Sequence, residues 1–461
     1  MSSRVLVIGW LVAVSAAAAY LWLTGGWFHI ELLPVSDHVR ERGLLTVFDW
    51  SVFDSNPNRL RPLSDLIEVV DAMMRPRTVW LFGHHASLSL SALVIAISCP
   101  ALFYRALREM GLSRNEALAG TALFISTIAY LSCFVPYIRP AKRLALLGLC
   151  AVLYLVFRFI RSGSDRDLAW LYAVLLLSFF ADEAGFVNWP IALLILGSRL
   201  RGARLAGYFM IPVVYLLLAK GLLPPIYDLL GKSGPRDEVI ATSMVAKLLG
   251  SLLSLDFYAL AIENLGRTVA ASFGTLSVPD LIPIVAVLAI GSYALVRRVW
   301  VVSAVSFLIV GISIFFSMID QINTTKNHIG QWTYYYHTPV AVLALLWVAA
   351  VYHWLRPTST GLRIAAGLTI AVISMLNLNN FQRVNEIVKI IHTYPLARLI
   401  PRTFDPQGLG ERFEVLLKSG SLPEADAFRR QFSYYRVHPM GDSSYAERLE
   451  QTYKKTRSLV K

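Results

Sequence analysis

About eleven apolar segments, most near the roughly 20 residues that carry an α-helix across a hydrocarbon core of about 30 Å, divide this chain up to about residue 378. They lie at 5–23, 80–103, 117–137, 144–160, 168–181, 185–197, 206–223, 281–296, 299–318, 333–355 and 362–378. Lipid offers no partner to a backbone N–H or C=O, so segments this apolar are held to helices whose hydrogen bonds close within themselves. The composition agrees: 56% of 461 residues are hydrophobic and only 16% charged, with a mean hydropathy of +0.55. A soluble globular protein carries more charge and less apolar surface. The sequence therefore predicts an all-α polytopic membrane protein with about 11 transmembrane helices. The fifth and sixth segments are short and share the break Asp182-Glu183, which reads as a pair of short helices.

The net charge of +13 is distributed as a topology signal. Basic residues sit in short clusters between apolar runs, which excludes nucleic acid as the partner. With Arg4 inside, the inner connections carry Arg105, Arg108 and Arg114, then Arg158, Arg161 and Arg166, then Arg199, Arg201 and Arg204, then Arg297 and Arg298, then Arg356 and Arg363. That places the N-terminus in the cytoplasm and the C-terminus outside a bacterial inner (plasma) membrane. The outer connections are a long first loop at 24–79, the turn 138–143, Asp182-Glu183, a large segment at 224–280, the stretch 319–332 and the tail. Residues 1–378 form the transmembrane domain and 379–461 a small polar helical tail at the outer face. Cys99, Cys133 and Cys150 fall inside apolar segments and read as buried hydrophobes, not metal ligands or disulfides.

The first loop has structure of its own. After Arg61-Pro62, the residues Leu63, Leu66, Ile67, Val70, Met73 and Met74 recur at helical spacing, with Asp65, Glu68 and Asp71 off that stripe. This predicts an amphipathic juxtamembrane helix lying on the bilayer with its acids solvated. The polar residues Lys247, Asp256 and Glu263 make the 224–280 segment read as interfacial helices. Asp37, Asp49 and Asp54 lie in irregular sequence between membrane-anchored elements, where a carboxylate is available for chemistry. The competing reading of each is a turn or N-cap residue. The turn 138–143 breaks the topology rule by setting Arg139, Lys142 and Arg143 outside. They either snorkel to anionic head groups or clamp a phosphate.

Two further groups complete the candidates. Asp182 and Glu183, in FFADEAGFVNWP, are costly near a membrane unless solvated, paired or used, whether as base partner, metal ligand or acceptor clamp. In DQINTTKNHIGQWTYYYHT, Lys326 and His328 are candidate phosphate contacts, while Trp332 and the tyrosines read as an aromatic belt. His84 and His85 have no metal-ligand partners at a suitable spacing in their own segment. Nucleotide-driven transport, serine hydrolysis and zinc proteolysis have no motif here.

The first span, the long acidic outer loop, the Arg-Pro-Leu of NRLRPLSDL entering an amphipathic helix, and the histidines of FGHHASLSLSAL together resemble the GT-C glycosyltransferases. The closest likeness is to protein O-mannosyltransferase-like and tetratricopeptide-associated members, over roughly residues 1–200. The resemblance implies a GT-C-like helical bundle that transfers a sugar from a polyprenyl-phosphate or diphosphate carrier to a glycan, lipid or protein acceptor at the outer face. It implies Asp37 as the essential first-loop acid, with Asp49 and Asp54 as competitors, and retains Arg61 and His85 as substrate contacts. The second outer turn departs from the family by carrying cations and no acid, which argues against a divalent metal and leaves no cofactor assigned. Two other readings compete. An O-antigen ligase or polymerase-like enzyme would place its large basic loop late in the chain, and a transporter or flippase of lipid-linked sugars would show inverted repeats, broken helices and mid-span charges.

Overall fold

The computed structural model describes residues 41–49, 61–82, 90–131, 140–230, 254–273, 281–323 and 338–355, together with a few isolated residues before 41 and residue 250. Every regular element among them is helical. Four helices are long and apolar enough to cross a membrane, at Ser91–Glu109, Ala141–Ser162, Ala203–Leu230 and Trp300–Ser317, and three shorter apolar helices accompany them. The all-helical membrane character follows directly. Of the expected span at 5–23 only isolated residues are described, and the span at 362–378 and the tail 379–461 lie outside the described residues.

A 3-10 turn at Gly43–Phe48 precedes α1 (Pro62–Phe82), whose first residue is a proline already fixed at helical φ. Next comes α2 (Leu90–Glu109). The Asp71 carboxylate of α1 accepts from the Ser91 amide at 2.9 Å and from the Ser91 hydroxyl, satisfying donors at the α2 start. The apolar run expected at 80–103 is therefore shared between two helices, because the cap comes from a distant residue that local periodicity does not register.

A capping box of Ser113 and Glu116 starts α3 (Arg114–Ile125). The span expected over 117–137 breaks at residues 126 and 127, where the Ser126 and Thr127 hydroxyls donate to the carbonyls of Leu123 and Phe124 at 2.8 and 2.7 Å. Thr127 Oγ1 then accepts from the Tyr130 amide and starts the single turn α4 (Ile128–Leu131). Local hydroxyl bonding outcompetes the apolar continuation.

The central helix is α5 (Pro140–Ser162), packed between α2 and α6 (Asp165–Ala181). α6 ends at the break expected at Asp182, and the segment expected at 185–197 is itself divided into the short α7 (Glu183–Phe186) and α8 (Asn188–Leu196). A continuous run follows: α9 (Ala203–Leu216), a π-helical stretch at Leu217–Leu222 and α10 (Leu223–Leu230). A second group comprises α11 (Leu255–Phe273), α12 (Leu281–Val296), α13 (Trp300–Asn323) and α14 (Thr338–Trp354). Packing of α11 on α12, α13 and α14 makes it part of this group, where the sequence suggested only an interfacial helix. A Cβ on Gly291 would lie 2.6 Å from the Ser306 Cβ, so the glycine lets α12 and α13 approach closely. One contiguous apolar core runs from Ile95 to Leu346 and unites both groups.

The orientation of α1 corrects the sequence reading. Glu68 and Asp71 are buried at 8% and 6% exposure, while Leu66, Val70 and Met73 face outward at 40%, 37% and 44%. The acids look into the protein instead of into solvent. A helix on a bilayer has its apolar stripe satisfied by lipid, which leaves the opposite face for polar contacts with the protein.

Candidate functional site

Two helices begin at one place. Arg61 immediately precedes Pro62 of α1, and Lys142 and Arg143 lie in the first turn of α5, which opens at Pro140. Helix N-termini present unsatisfied N–H groups and a positive dipole end, so basic residues there concentrate positive potential. Facing them is Asp182, in extended conformation between α6 and α7. Lys142 Nζ donates to Asp182 Oδ1 at 2.6 Å, and Arg61 Nη1 lies 3.8 Å from Oδ2. The Ala184 amide donates to Oδ1 at 2.9 Å.

The chain reaches this geometry through Gly185. A Cβ there would sit 2.0 Å from the Ser178 carbonyl oxygen, so α7 folds directly onto the last turn of α6 and carries Asp182 with it. The cluster is dry: Asp182 is 1% exposed, and Lys142 and Arg143 are buried. An aromatic wall flanks it, with Tyr215 of α9 against Phe179, Phe180 and Phe186 at ring separations of 5.5, 5.1 and 5.2 Å.

Burial works to raise the Asp182 pKa, but Lys142 and Arg61, the Lys142 hydrogen bond and the Ala184 amide outweigh it and hold the carboxyl below the ordinary aspartate range. Asp182 is thus a permanent anion that two cations share. As a base it would be weak, and as an organiser of cations it is well placed. It does not suit a divalent metal, which would face Lys142 and Arg61. Among the described residues no three His, Cys, Asp or Glu side chains gather as a metal site needs.

Of the sequence candidates, Arg61, Lys142 and Asp182 therefore meet, and Arg143 lies buried next to Lys142 in the first turn of α5. Asp49 does not. It is fully buried against Arg42, whose guanidinium also donates to the Leu230 carbonyl at 2.5 Å, tying the 3-10 turn to the end of α10. Phe48 and Tyr227 reinforce that tie edge to face at 5.2 Å. Asp37, Asp54, His85, Arg139, Lys326, His328 and the Glu183 side chain lie outside the described residues.

Sequence reasoning missed Arg42, the capping role of Asp71, and a buried polar patch of Gly148, Ser178 and Asn188. A Cβ on Gly148 would meet Ser178 Oγ at 2.5 Å and Asn188 Nδ2 at 3.2 Å. Asn188 is fully buried, and neither of its amide atoms has a hydrogen-bond partner among the described residues. No sequence signal separates Asn188 from an ordinary interfacial asparagine. The chain matches no protein-family model and no curated protein.

Proposed function

We propose that this protein is a membrane glycosyltransferase of the GT-C kind, moving a sugar from a polyprenyl-phosphate or diphosphate carrier to a glycan, lipid or protein acceptor at the outer face of a bacterial inner membrane. The observation that carries the reading is the convergence of Arg61, Lys142 and Asp182 from three separate chain segments at the start of α1 and α5. Sugar transfer from such a carrier breaks the bond from the anomeric carbon to a phosphate oxygen, so negative charge grows on the phosphate. Preorganised cations in a water-poor site stabilise that charge far better than they would in bulk water. Arg61, Lys142 and Arg143 take this role, and Asp182 keeps the first two in place. A first-loop carboxylate, Asp37 or Asp54, takes the acceptor proton as the acceptor oxygen attacks with inversion. The aromatic wall around Tyr215 supplies apolar surface beside the cations, suited to a prenyl chain.

The test is transfer from a lipid-linked sugar by the purified full chain. Lys142→Ala and Arg61→Ala are expected to lower kcat by about 100-fold or more, the range seen when a charge-stabilising donor is removed. Unchanged turnover in both variants at equal protein level would defeat the reading. One observation favours a flippase of lipid-linked sugars instead: a buried charged residue, Asp182, stands in the break between α6 and α7, as the interrupted, charge-bearing helices of transporters would have it. A flippase would move the lipid between leaflets of proteoliposomes and form no new glycosidic bond.

A further inference from the structure

Between Arg204 and Asp228, along the run of α9, the π-helical stretch and α10, the only charged residue is Lys220. An apolar stretch of that run has a mean hydropathy of 1.8, yet only 11% of it is buried in the protein, so most of its surface is left to lipid. Lys220 lies on that surface. It is exposed, its exposed neighbours Leu216, Leu217 and Leu222 are apolar, and it has no hydrogen-bond or ion-pair partner among the described residues. A charge inside an apolar span is costly and calls for a partner. It also falls within the π-helical stretch at Leu217–Leu222, a rare geometry that is frequent at functional sites.

Its height in the bilayer follows from its neighbours. Arg204, paired with Asp165 at 2.8 Å, marks one polar end of the run. Lys220 is 16 residues further on, a rise of about 24 Å against a core of about 30 Å, so it stands just inside the opposite boundary. That boundary is the Asp182 end. Tyr215, one turn earlier, packs on Phe179 and Phe180, and Ala219 is buried in the cluster that Phe180 and Tyr215 pack against. Lys220 therefore sits on the lipid side of the aromatic wall whose other side flanks Asp182. Anchoring the helix at the surface suits it poorly, because a helical side chain leaves its Cα toward the helix N-terminus, here toward the bilayer centre. Acyl chains carry no acceptor for an ammonium, and the anion that a bilayer supplies at this boundary is a lipid phosphate.

We propose that Lys220 binds the phosphate group of a membrane lipid at the edge of the bilayer core, beside the aromatic wall. The inference goes beyond sugar transfer, since any lipid phosphate satisfies the ammonium. Two sources share this chemistry, a bulk phospholipid and a prenyl phosphate. If the occupant is a prenyl phosphate, Lys220 is where a lipid-linked donor first meets the protein from the side, a step that rests on the proposed function.

Acetylation of Lys220, mapped by mass spectrometry on the purified full chain in a neutral maltoside detergent, tests the site directly. Farnesyl phosphate is expected to slow the reaction at Lys220 at least about tenfold relative to farnesol, the value of one charge-assisted hydrogen bond. In binding titrations, Lys220→Met is expected to weaken farnesyl phosphate by a similar factor and leave farnesol unchanged, while Lys220→Arg keeps the binding of the parent. A short-chain phosphatidylglycerol separates the sources. Equal protection by it identifies phospholipid as the occupant, and protection by farnesyl phosphate alone identifies the prenyl carrier; both uphold the site. Acetylation that farnesyl phosphate does not slow overturns the proposal, as does equal affinity for it in the parent and Lys220→Met. Sugar transfer that depends on Lys142 without protection of Lys220 leaves the proposed function standing and removes this inference. Protection of Lys220 in a chain that transfers no sugar keeps the lipid site and removes the glycosyltransferase reading.

Discussion

Asp182 is a buried carboxylate held between two cations, Lys142 and Arg61, that reach it from different parts of the chain. Its cost near a membrane is visible in sequence, since a carboxylate between apolar runs has to be paired or used. The pairing itself, through Lys142 and Arg61, is set by the fold. Breaking a buried ion pair by deleting one member leaves an uncompensated charge, at a cost of about 3–5 kcal/mol. Asp182→Ala is accordingly expected to lower the melting temperature of the detergent-solubilised protein sharply. Asp182→Leu combined with Lys142→Met should recover part of the loss, and a single variant as stable as the parent would refute the pairing. Acid provides a second check. The folded-state pKa of Asp182 lies below its unfolded value, so its stabilisation is fully present above about pH 4 and is lost as pH falls through the lower folded value. Melting curves below about pH 4 are expected to show destabilisation that the double variant shows less.

Elements are where local pattern and tertiary context diverge most. The helix after Arg61 was legible from its 3.6-residue periodicity, and α1 covers those residues. Which face turns inward was not legible, because periodicity separates two faces without saying what lies against each. With Leu66, Val70 and Met73 outward and Glu68 and Asp71 inward, labels on Leu66→Cys and Met73→Cys are expected to be reached by lipid-soluble quenchers and shielded from water-soluble ones. The opposite pattern would restore the solvated-acid reading. The α6–α7 reversal makes a sharper demand. Gly185→Ala forces a Cβ onto the Ser178 carbonyl and is expected to cost several kcal/mol and dislodge Asp182. Gly311→Ala, at an exposed α13 position with nothing within 4 Å of the added Cβ, is expected to leave stability unchanged or raise it by about 0.5–1 kcal/mol. Thermal melts of the two variants side by side test the contrast.

Across the whole molecule, α5 connects two charged ends. Lys142 at its start joins Arg61 and Asp182, while near its finish Arg161 meets Glu109 at 3.3 Å and Arg158 meets Asp167 at 3.0 Å. Its 23 residues span about 34 Å, close to the thickness of a bilayer core. The proposed topology puts the Asp182 end outside. In a cysteine-free background, Leu44→Cys on the exposed 3-10 turn is expected to react with an impermeant maleimide in intact cells, and Ser113→Cys and Ser164→Cys only after lysis. The reverse result would invert the orientation. By itself the sequence determined the helical class, the frequency of apolar segments, the polar break at Asp182 and the abundance of cations near it, because each depends on residue type and spacing along one stretch of chain. Only the tertiary structure decided that Arg61, Lys142 and Asp182 share one buried site, that Asp49 is tied to Arg42, and that the acids of α1 face inward. Those outcomes depend on which distant helices pack together, and burial turns proximity into chemistry by removing the water that would otherwise screen each charge.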